Sequence, residues 1–588
     1  MIPPRCRLLP ALLIFPLVAH GTVVNTVQDQ DDGSLIGNIS LREAVKYSPA
    51  GDTITFAPAL SGQTIRLILG EIPISQSLTI DGSALPVRIT LSGDKSGNGK
   101  TSDDTTVFRV GPGTIVLDSL IISGGHNTQG GGIISTVRTT NLTVKKCQFT
   151  GNSARVVGGA IFFALESGTG TPTLTPQNST FTGNSAVFDG GAIHATYPIQ
   201  IQSCSFTGNS GGGGGAIFMR ASTGPTSIFS DSVFSGNSAT SNGGAIYLGD
   251  GAIELARCTV DGNSALFNGG GVYCSGDAIL LKSSTISRNF AKISGGGIFT
   301  YSGYNIFENS TIALNTANDY GGGIFFRNTL DAENCTIAAN TAKIAGGGLA
   351  EGSAYLRATI VSGNTAPSSP DVFLREVDTE GNLITPILSL APLGNYGGPT
   401  QTMPPLIGSP AIDSPDGGPS QFYTDQRGYP RSGPHDIGAV EYQHQNDASI
   451  IYQHLPVLWN ADADADGLPY AIERLHGTNP FVPDISSTST LSSPAINPEG
   501  KPVLSFIVSR NTSIPETHAI WRLMRSPDLT PGSFREIYRY GSWGEVAVPG
   551  VSFIHTPEPG ESERITVTDG NPLPGGGFYR FEAVLAPE

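Results

Sequence analysis

Cys147-Gln-Phe-Thr-Gly-Asn-Ser-Ala154, running on through Arg155-Val-Val-Gly-Gly-Ala-Ile161, is the stretch whose reading decides the fold. It returns as Phe181-Thr-Gly-Asn184 with Gly190-Gly-Ala-Ile193, then across residues 206–217 and 234–246. Later copies drift to Val260-Asp-Gly-Asn263, Ile286-Ser-Arg-Asn289, Ile312-Ala-Leu-Asn315, Ile337-Ala-Ala-Asn340 and Val361-Ser-Gly-Asn364. Successive asparagines are 32, 25, 28, 26, 26, 26, 25 and 24 residues apart. A period in that range marks stacked supersecondary units. Within each unit, short runs of Ile, Val, Phe and Thr alternate with Gly and Asn-Ser punctuation, and no window keeps a helical stripe. The reading is an all-β chain wound as a right-handed parallel β-helix, one turn per copy.

One position is aliphatic in every full copy: Ile161, Ile193, Ile217, Ile246, Val272, Ile298, Ile324 and Leu349. Coils spaced about 4.8 Å apart would stack that column inside the tube. The glycine pair before it suits a corner that needs positive φ or close backbone approach. The repeated Asn suits a second corner, bonding backbone groups of its own or the next coil. Cys147, Cys204, Cys258 and Cys335 share one repeat position with serines of other copies. Filled copies are two or more coils apart, too far for a disulfide, so these read as buried small residues, as does Cys274.

Immediately after the aliphatic column come Phe162, His194, Phe218, Tyr247, Tyr273, Phe299 and Phe325. Strand alternation turns that position outward. The expectation is an exposed aromatic stripe suited to sugar rings or a protein partner. Carboxylates in the repeats (Asp189, Asp231, Asp250, Asp261, Asp277, Glu308 and Asp319) occupy turns that vary between copies and read as solvated acids.

Around the repeats the chain divides by composition. Residues 1–21 carry Arg5, Arg7 and an apolar run too short to span a bilayer, the pattern of a secretory signal. Residues 22–92 form an N-terminal cap: Ser40-Leu-Arg-Glu43 is a capping box opening a short helix, and Gly51-Asp-Thr-Ile-Thr-Phe56 and Ser77-Leu-Thr-Ile-Asp-Gly82 read as first strands. Residues 93–388 are the β-helix and 389–443 a closing segment. Residues 444–486 are a linker, and 487–588 read as a small antiparallel β-sandwich. A formal charge of −16 argues against nucleic acid as a partner and is compatible with cations.

Within the linker, Asp462-Ala-Asp464-Ala-Asp466-Gly467-Leu-Pro-Tyr-Ala-Ile-Glu473 matches the twelve-residue calcium loop at every fixed position. Asp462, Asp464 and Asp466 supply carboxylates, Leu468 a carbonyl, Tyr470 a water route and Glu473 a bidentate carboxylate for Ca2+.

Several stretches resemble known families. Ser40-Leu-Arg-Glu-Ala44 with Gly51-Asp-Thr-Ile-Thr-Phe56 resembles the CSLREA segment of bacterial β-helix proteins, with Ile39 in place of its cysteine. The Phe-x-x-Asn and Gly-Gly-Ala-Ile pairs resemble the repeats of chlamydial polymorphic outer-membrane proteins, autotransported surface adhesins. Gly397-Gly-Pro-Thr400, Gly408-Ser-Pro-Ala-Ile-Asp413, Asp425-Gln-Arg-Gly428 and Asp436-Ile-Gly-Ala-Val-Glu441 resemble the choice-of-anchor Q domain found after secreted β-helices. His476-Gly-Thr-Asn-Pro480 makes the calcium loop resemble a bacterial thrombospondin type 3 repeat. These resemblances imply a secreted or outer-membrane-associated surface protein with the pectin-lyase-like solenoid fold. Its expected role is non-enzymatic, as an adhesin, a scaffold or a binder of extracellular glycan or surface protein. The alternative is a polysaccharide lyase or glycoside hydrolase. Calcium titration of the full chain should show one tight site, and Glu473→Gln should weaken it at least tenfold; unchanged affinity in that variant would refute the loop.

Overall fold

The structure, a computed structural model, describes residues 21–442 except 100–103, 138, 165–169, 222–224, 379–380, 387–388, 407–408, 416–421 and 432. Beyond residue 442 it describes individual strands between 495 and 585, so the expected secretory signal and the expected calcium loop lie outside the described residues. The chain forms two compact units. The first takes Met1–Ile253 with Gly262–Leu266 and Val272–Gly276; the second takes Glu254–Asp261, Phe267–Gly271 and Asp277–Glu588. Each is built from a parallel solenoid, right-handed as the rule for parallel crossovers requires.

The first unit opens with the expected cap. Helix Leu41–Tyr47 has its full capping box: Ser40 Oγ accepts from the Glu43 amide at 3.1 Å, and Glu43 Oε2 accepts from the Ser40 amide at 2.8 Å. Arg42 is pinned to Asp29 at 2.7 Å and donates to the Glu71 carbonyl, which ties the helix to the first coils. Strands Thr53–Phe56 and Leu78–Asp81 pair in parallel, where the sequence placed them.

A full coil then has four short strands, for example Ile193–Ala195, Gln200–Gln202, Ser205–Thr207 and Ser210–Gly211. Ile161, Ile193, Ile217, Ile246 and Val272 pair residue to residue across successive coils, and none is exposed. Phe149, Phe181, Phe206 and Phe234 form a second buried column, with ring centroids 4.6–4.9 Å apart. The glycine pair divides its labour: Gly190 sits at φ +67°, while a Cβ on Gly191 would come within 2.1 Å of the Gly215 carbonyl of the next coil.

The asparagines form a continuous buried ladder in each unit. Asn209 Oδ1 accepts from both the amide and Nδ2 of Asn184 at 3.0 Å, while its own Nδ2 donates to the Phe181 carbonyl and to Asn237 Oδ1. The second unit repeats this through Asn289, Asn315, Asn340 and Asn364, and Asp371 Oδ1 then receives both donors of Asn364. The cysteines are buried and unlinked. The Cys204 amide donates to Ser232 Oγ and its thiol points at the Gln202 carbonyl, while Ser179 Oγ donates to the Gln177 carbonyl in the same way. That shared geometry explains why Cys and Ser alternate in one column. Burial pushes the Cys147 and Cys335 thiols up to about 12.

In the second unit, residues 389–442 fold back along the flank of the solenoid. The outward positions there are small (Thr285, Thr311, Thr336, Ala313 and Ala338), so the segment can lie flat upon them. Leu390, Met403, Ala411 and Ile437 bury against Ala313, Ala338 and Ile360. Gln426 Oε1 accepts from Thr311 at 2.6 Å, its Nε2 donates to Thr285 at 2.9 Å, and the Ala439 amide donates to Thr336. Asp425 and Arg427 pair at 2.8 Å with no side-chain exposure, and Arg431 pairs with Glu441. Gln426 and the charged residues Asp425, Arg427, Arg431 and Glu441 of this segment are thus internal ties. Further along, strands between 495 and 585 make two four-stranded antiparallel sheets. Among the described residues no helix is long and apolar enough to cross a membrane.

Asn209→Ala should cost about 3 kcal/mol or more, because it strands the two Asn184 donors in the interior and takes a donor from the Phe181 carbonyl, each worth about 1–3 kcal/mol; a loss under 1 kcal/mol by chemical denaturation would contradict the ladder. Burial pushes the Asp436 carboxyl up to about 7, and Glu441 and Asp413 add to the rise against hydrogen bonds from the Tyr442 and Asp413 amides. The folded chain therefore holds this proton more tightly than the unfolded chain. The associated stability is full below about pH 4 and is lost as the pH rises through about 7. Because both Asp436 oxygens accept from backbone amides, Asp436→Asn loses one of those bonds at every pH, and relative to the parent chain it should fare better by about 2–4 kcal/mol at pH 8 than at pH 4; melts showing no pH dependence in that difference would exclude the effect.

Candidate functional site

The aromatic column expected as an exposed stripe is present but mostly covered. Phe162, His194, Phe218, Tyr247 and Tyr273 stack in order in the first unit, with centroids 4.7–5.4 Å apart. Phe299 and Phe325 stack at 4.8 Å in the second. Phe162, Phe218, Phe299 and Phe325 are nonetheless buried, and His194, Tyr247 and Tyr273 are half-buried. Alternation does turn the position out of the tube, since Ile161 and Phe163 on either side are interior. The chain entering the glycine corner then lies over the rings. Phe162 packs under Ile134, Val156 and Val157, and Gly213 sits where a Cβ would touch both the Phe218 and Tyr247 rings. His194, between two phenyl rings, is held neutral, since burial pulls its imidazole down to about 4.

The acids of the repeat turns separate into two kinds. Asp250 pairs with Arg220 and Asp261 with Arg288, both at the surface, where such pairs contribute little. Asp189 accepts from the Gly213 amide at 3.2 Å, and burial raises its carboxyl. Glu308 belongs to a different setting.

Strands Tyr304–Glu308, Ile324–Glu333 and Leu349–Arg357 lie side by side in the second unit. Parallel register aligns Ile306 with Asp331 and Tyr355, and Glu308 with Glu333 and Arg357. Asn305, Phe307, Leu330, Ala332, Ala354 and Leu356 point inward and are buried, so the intervening residues form an outward face. Tyr304 (48% exposed) and Tyr355 (52%) rise from it on either side of Asp331. The Tyr304 hydroxyl donates to Asp331 Oδ2 at 3.0 Å. Arg357 bridges Asp331 at 2.8 Å and Glu333 at 3.2 Å. Burial raises the Glu308 carboxyl, and the like charges of Glu333, Glu254 and Asp331 add to this against the pull of Lys282. Lys282 is itself paired with Glu254 at 3.0 Å.

The rim of this face is also built. Arg327 lies 4.7 Å over the half-exposed Tyr301 ring. Glu351 is held at φ +91° beside a register shift and is paired with Arg375; a non-glycine residue in that conformation is strained. Asn309, next to Glu308, donates to the Thr424 carbonyl and accepts from Arg431, which fixes the closing segment at the edge. Tyr423, just before Thr424, is 92% exposed. Fixed carboxylates, a guanidinium and open aromatic rings on one rigid sheet can hydrogen-bond hydroxyl or amino groups while stacking on a flat ligand face.

Glu308 was visible in the sequence as one of several turn acids. Asp331, Glu333, Tyr304, Tyr355 and Arg357 were not singled out. The usable signal was alternation in Tyr304-Asn-Ile-Phe-Glu308, aligned one coil on with Leu330-Asp-Ala-Glu333. The residues expected to ligate calcium, Asp462, Asp464, Asp466, Leu468, Tyr470 and Glu473, lie outside the described residues.

Known proteins resemble this chain in two ways. The family described as right handed beta helix region matches residues 215–384. The Chlamydia polymorphic membrane protein repeat matches residues 146–164, 178–196 and 203–220, the coils that carry the Phe-x-x-Asn and Gly-Gly-Ala-Ile pairs. Among solved structures, the tailspike protein of Acinetobacter phage vB_ApiP_P1 is similar at 12% identity, over 87% of this chain and 82% of that one, with a TM-score of 0.23. No curated protein matches the chain. The chain is thus a β-helix protein bearing repeats of the polymorphic membrane protein kind.

Proposed function

We propose that this chain is an exported, surface-displayed β-helical protein with an adhesive or scaffolding role, engaging an extracellular glycan or a surface protein. The observation that carries the reading is the pairing of polymorphic membrane protein-type repeats with ladders that hold the repeat coils in register. A tube of that kind presents outward side chains as fixed rows, and recognition then costs little ordering of the protein. A calcium ion at Asp462, Asp464, Asp466, Leu468, Tyr470 and Glu473 would stiffen the junction to the C-terminal strands, and the acidic charge of the chain favours that cation over nucleic acid.

A second reading, an extracellular polysaccharide lyase or glycoside hydrolase, is favoured by one observation. Glu308 and Glu333 stand in register on neighbouring strands, and burial raises the Glu308 carboxyl. Against it, Glu333 is tied to Arg357, and the surrounding side chains form an open face. One experiment separates the two. Full-length protein is applied to a glycan array and to immobilised cell surfaces, beside a reducing-end assay on the same polysaccharides. The adhesive reading expects saturable retention and no new reducing ends. Release of reducing ends that disappears in Glu308→Gln would replace it with the enzymatic one, and no saturable binding to any surface would sink it.

A further inference from the structure

The face over Tyr304–Glu308, Ile324–Glu333 and Leu349–Arg357 has a charge pattern that selects among glycans. Around it stand six carboxylates (Glu254, Glu308, Asp331, Glu333, Glu351 and Glu376) and four cations (Lys282, Arg327, Arg357 and Arg375). Every one of those cations is already engaged: Lys282 by Glu254, Arg357 by Asp331 and Glu333, Arg375 by Glu351, and Arg327 by the Tyr301 ring. An anionic ligand would find no free positive charge here and would meet an excess of negative charge. Glu308 is the opposite case. It is half-buried at the centre of the row, with no hydrogen bond to its carboxylate from any described residue. A donor supplied from outside would satisfy it.

The aromatic residues give the ligand its shape. Tyr304 and Tyr355 are two coils apart, roughly 10 Å at strand spacing. Their strands flank the one that carries Asp331, and Arg357 follows two residues after Tyr355 on the same strand, reaching back to Asp331. The apolar C–H face of a pyranose packs on such a ring, while its equatorial hydroxyl groups reach the carboxylate on the strand between the two rings and the guanidinium beside it. A chain molecule running across the coils would place one sugar on each tyrosine. Both rings are about half exposed, so the platform is open along that direction.

We propose that this face is a binding platform for a glycan of neutral and amino sugars, with Tyr304 and Tyr355 stacking sugar rings, Asp331 and Arg357 taking hydroxyls, and Glu308 receiving an amino group. The proposal rests on the adhesive reading and assigns it a ligand class and a place. It excludes uronate and sialylated polymers as ligands of this face.

The test is calorimetric titration of the full-length protein with three probes: deacetylated chitosan oligosaccharide, its N-acetylated counterpart, and oligogalacturonate. The expected order is tightest binding for the deacetylated form, weaker for the acetylated form, and none for the uronate. Tyr355→Ala should weaken the first two at least tenfold. Glu308→Gln should weaken only the deacetylated form, by about the same factor. Tyr355 is half exposed and Glu308 half-buried on the outward face, and unchanged thermal melts confirm that each variant folds. Uronate binding as tight as chitosan binding, or chitosan binding indifferent to both substitutions, would overturn the proposal. If those variants still adhere to cell surfaces like the parent chain, the platform is wrong and the adhesive reading survives. If the parent chain binds no surface at all, both fall.

Discussion

The asparagine ladder is the interaction on which the rest of the structure depends. A carboxamide can accept on one side and donate on the other, so a buried column of them closes only when every coil contributes one at the same height. In both units the Oδ1 of one Asn receives the amide and Nδ2 of its predecessor, and the spare Nδ2 hydrogen goes to a strand carbonyl. No member can be displaced by one residue without orphaning polar groups in the interior, where each costs about 1–3 kcal/mol. Loops in other parts of the coil vary freely, which is why the period wanders between 24 and 32 residues while the ladder does not slip. The second unit ends its ladder with a carboxylate: Asp371 receives the last two donors of Asn364. An acceptor-only group is the correct terminus for a column whose free end consists of donors.

The closing segment exploits a second constraint. Outward positions of the sheet after the Cys/Ser column are mostly Thr and Ser already in earlier coils (Thr180, Thr182, Ser205, Thr207), and from Thr285 to Ala338 they are Thr, Ser and Ala and become buried. Small side chains leave hydroxyls and apolar methyls close to the backbone, and Gln426, Met403 and Ile437 dock on that texture. The buried Asp425–Arg427 and Arg431–Glu441 pairs then orient the segment rather than glue it, since burying charge gains little net energy even when paired.

What the sequence made legible was whatever the repeat itself enforces. The aliphatic column, the two roles of the glycine pair and the Asn corner are set by a pattern recurring at fixed offset, the Ser40–Glu43 box by a single local spacing, and the structure places them as read. The aromatic column was legible as a column but not as a covered one. Phase along a strand tells which way Phe162 points, but not that the chain around Val156 and Val157 lies over it. The Asp331–Glu333–Arg357 group was harder still. Its members come from different coils, in the one strand of each repeat that has no invariant residue, so their register can be seen only once the flanking landmarks are stacked. Copies that drift also hid strain: Arg288, Leu314 and Ala339 occupy, at positive φ, the position that glycine holds in the copies before them.

That last point bears on where function resides in such a chain. The copies from residue 147 to about 240 stay close to the consensus, with Phe in the inner column and Gly before each Asn, and their exposed residues are mostly polar turns. In the second unit the phenylalanine is gone, the glycine is replaced in three copies by Arg288, Leu314 and Ala339, and the closing segment lies on one flank. There, too, charged and tyrosyl residues gather on an outward sheet face, around a strained Glu351. Loss of consensus at inner positions weakens packing, so a repeat that retains such changes has something to offset them. In these coils the offset is visible twice: the closing segment adds buried area where the solenoid has given up side-chain volume, and Arg357 ties two neighbouring carboxylates that would otherwise repel. A scaffold held by its ladders can accept that local cost and keep a fixed face, and the face it keeps is the one whose chemistry departs most from the repeat.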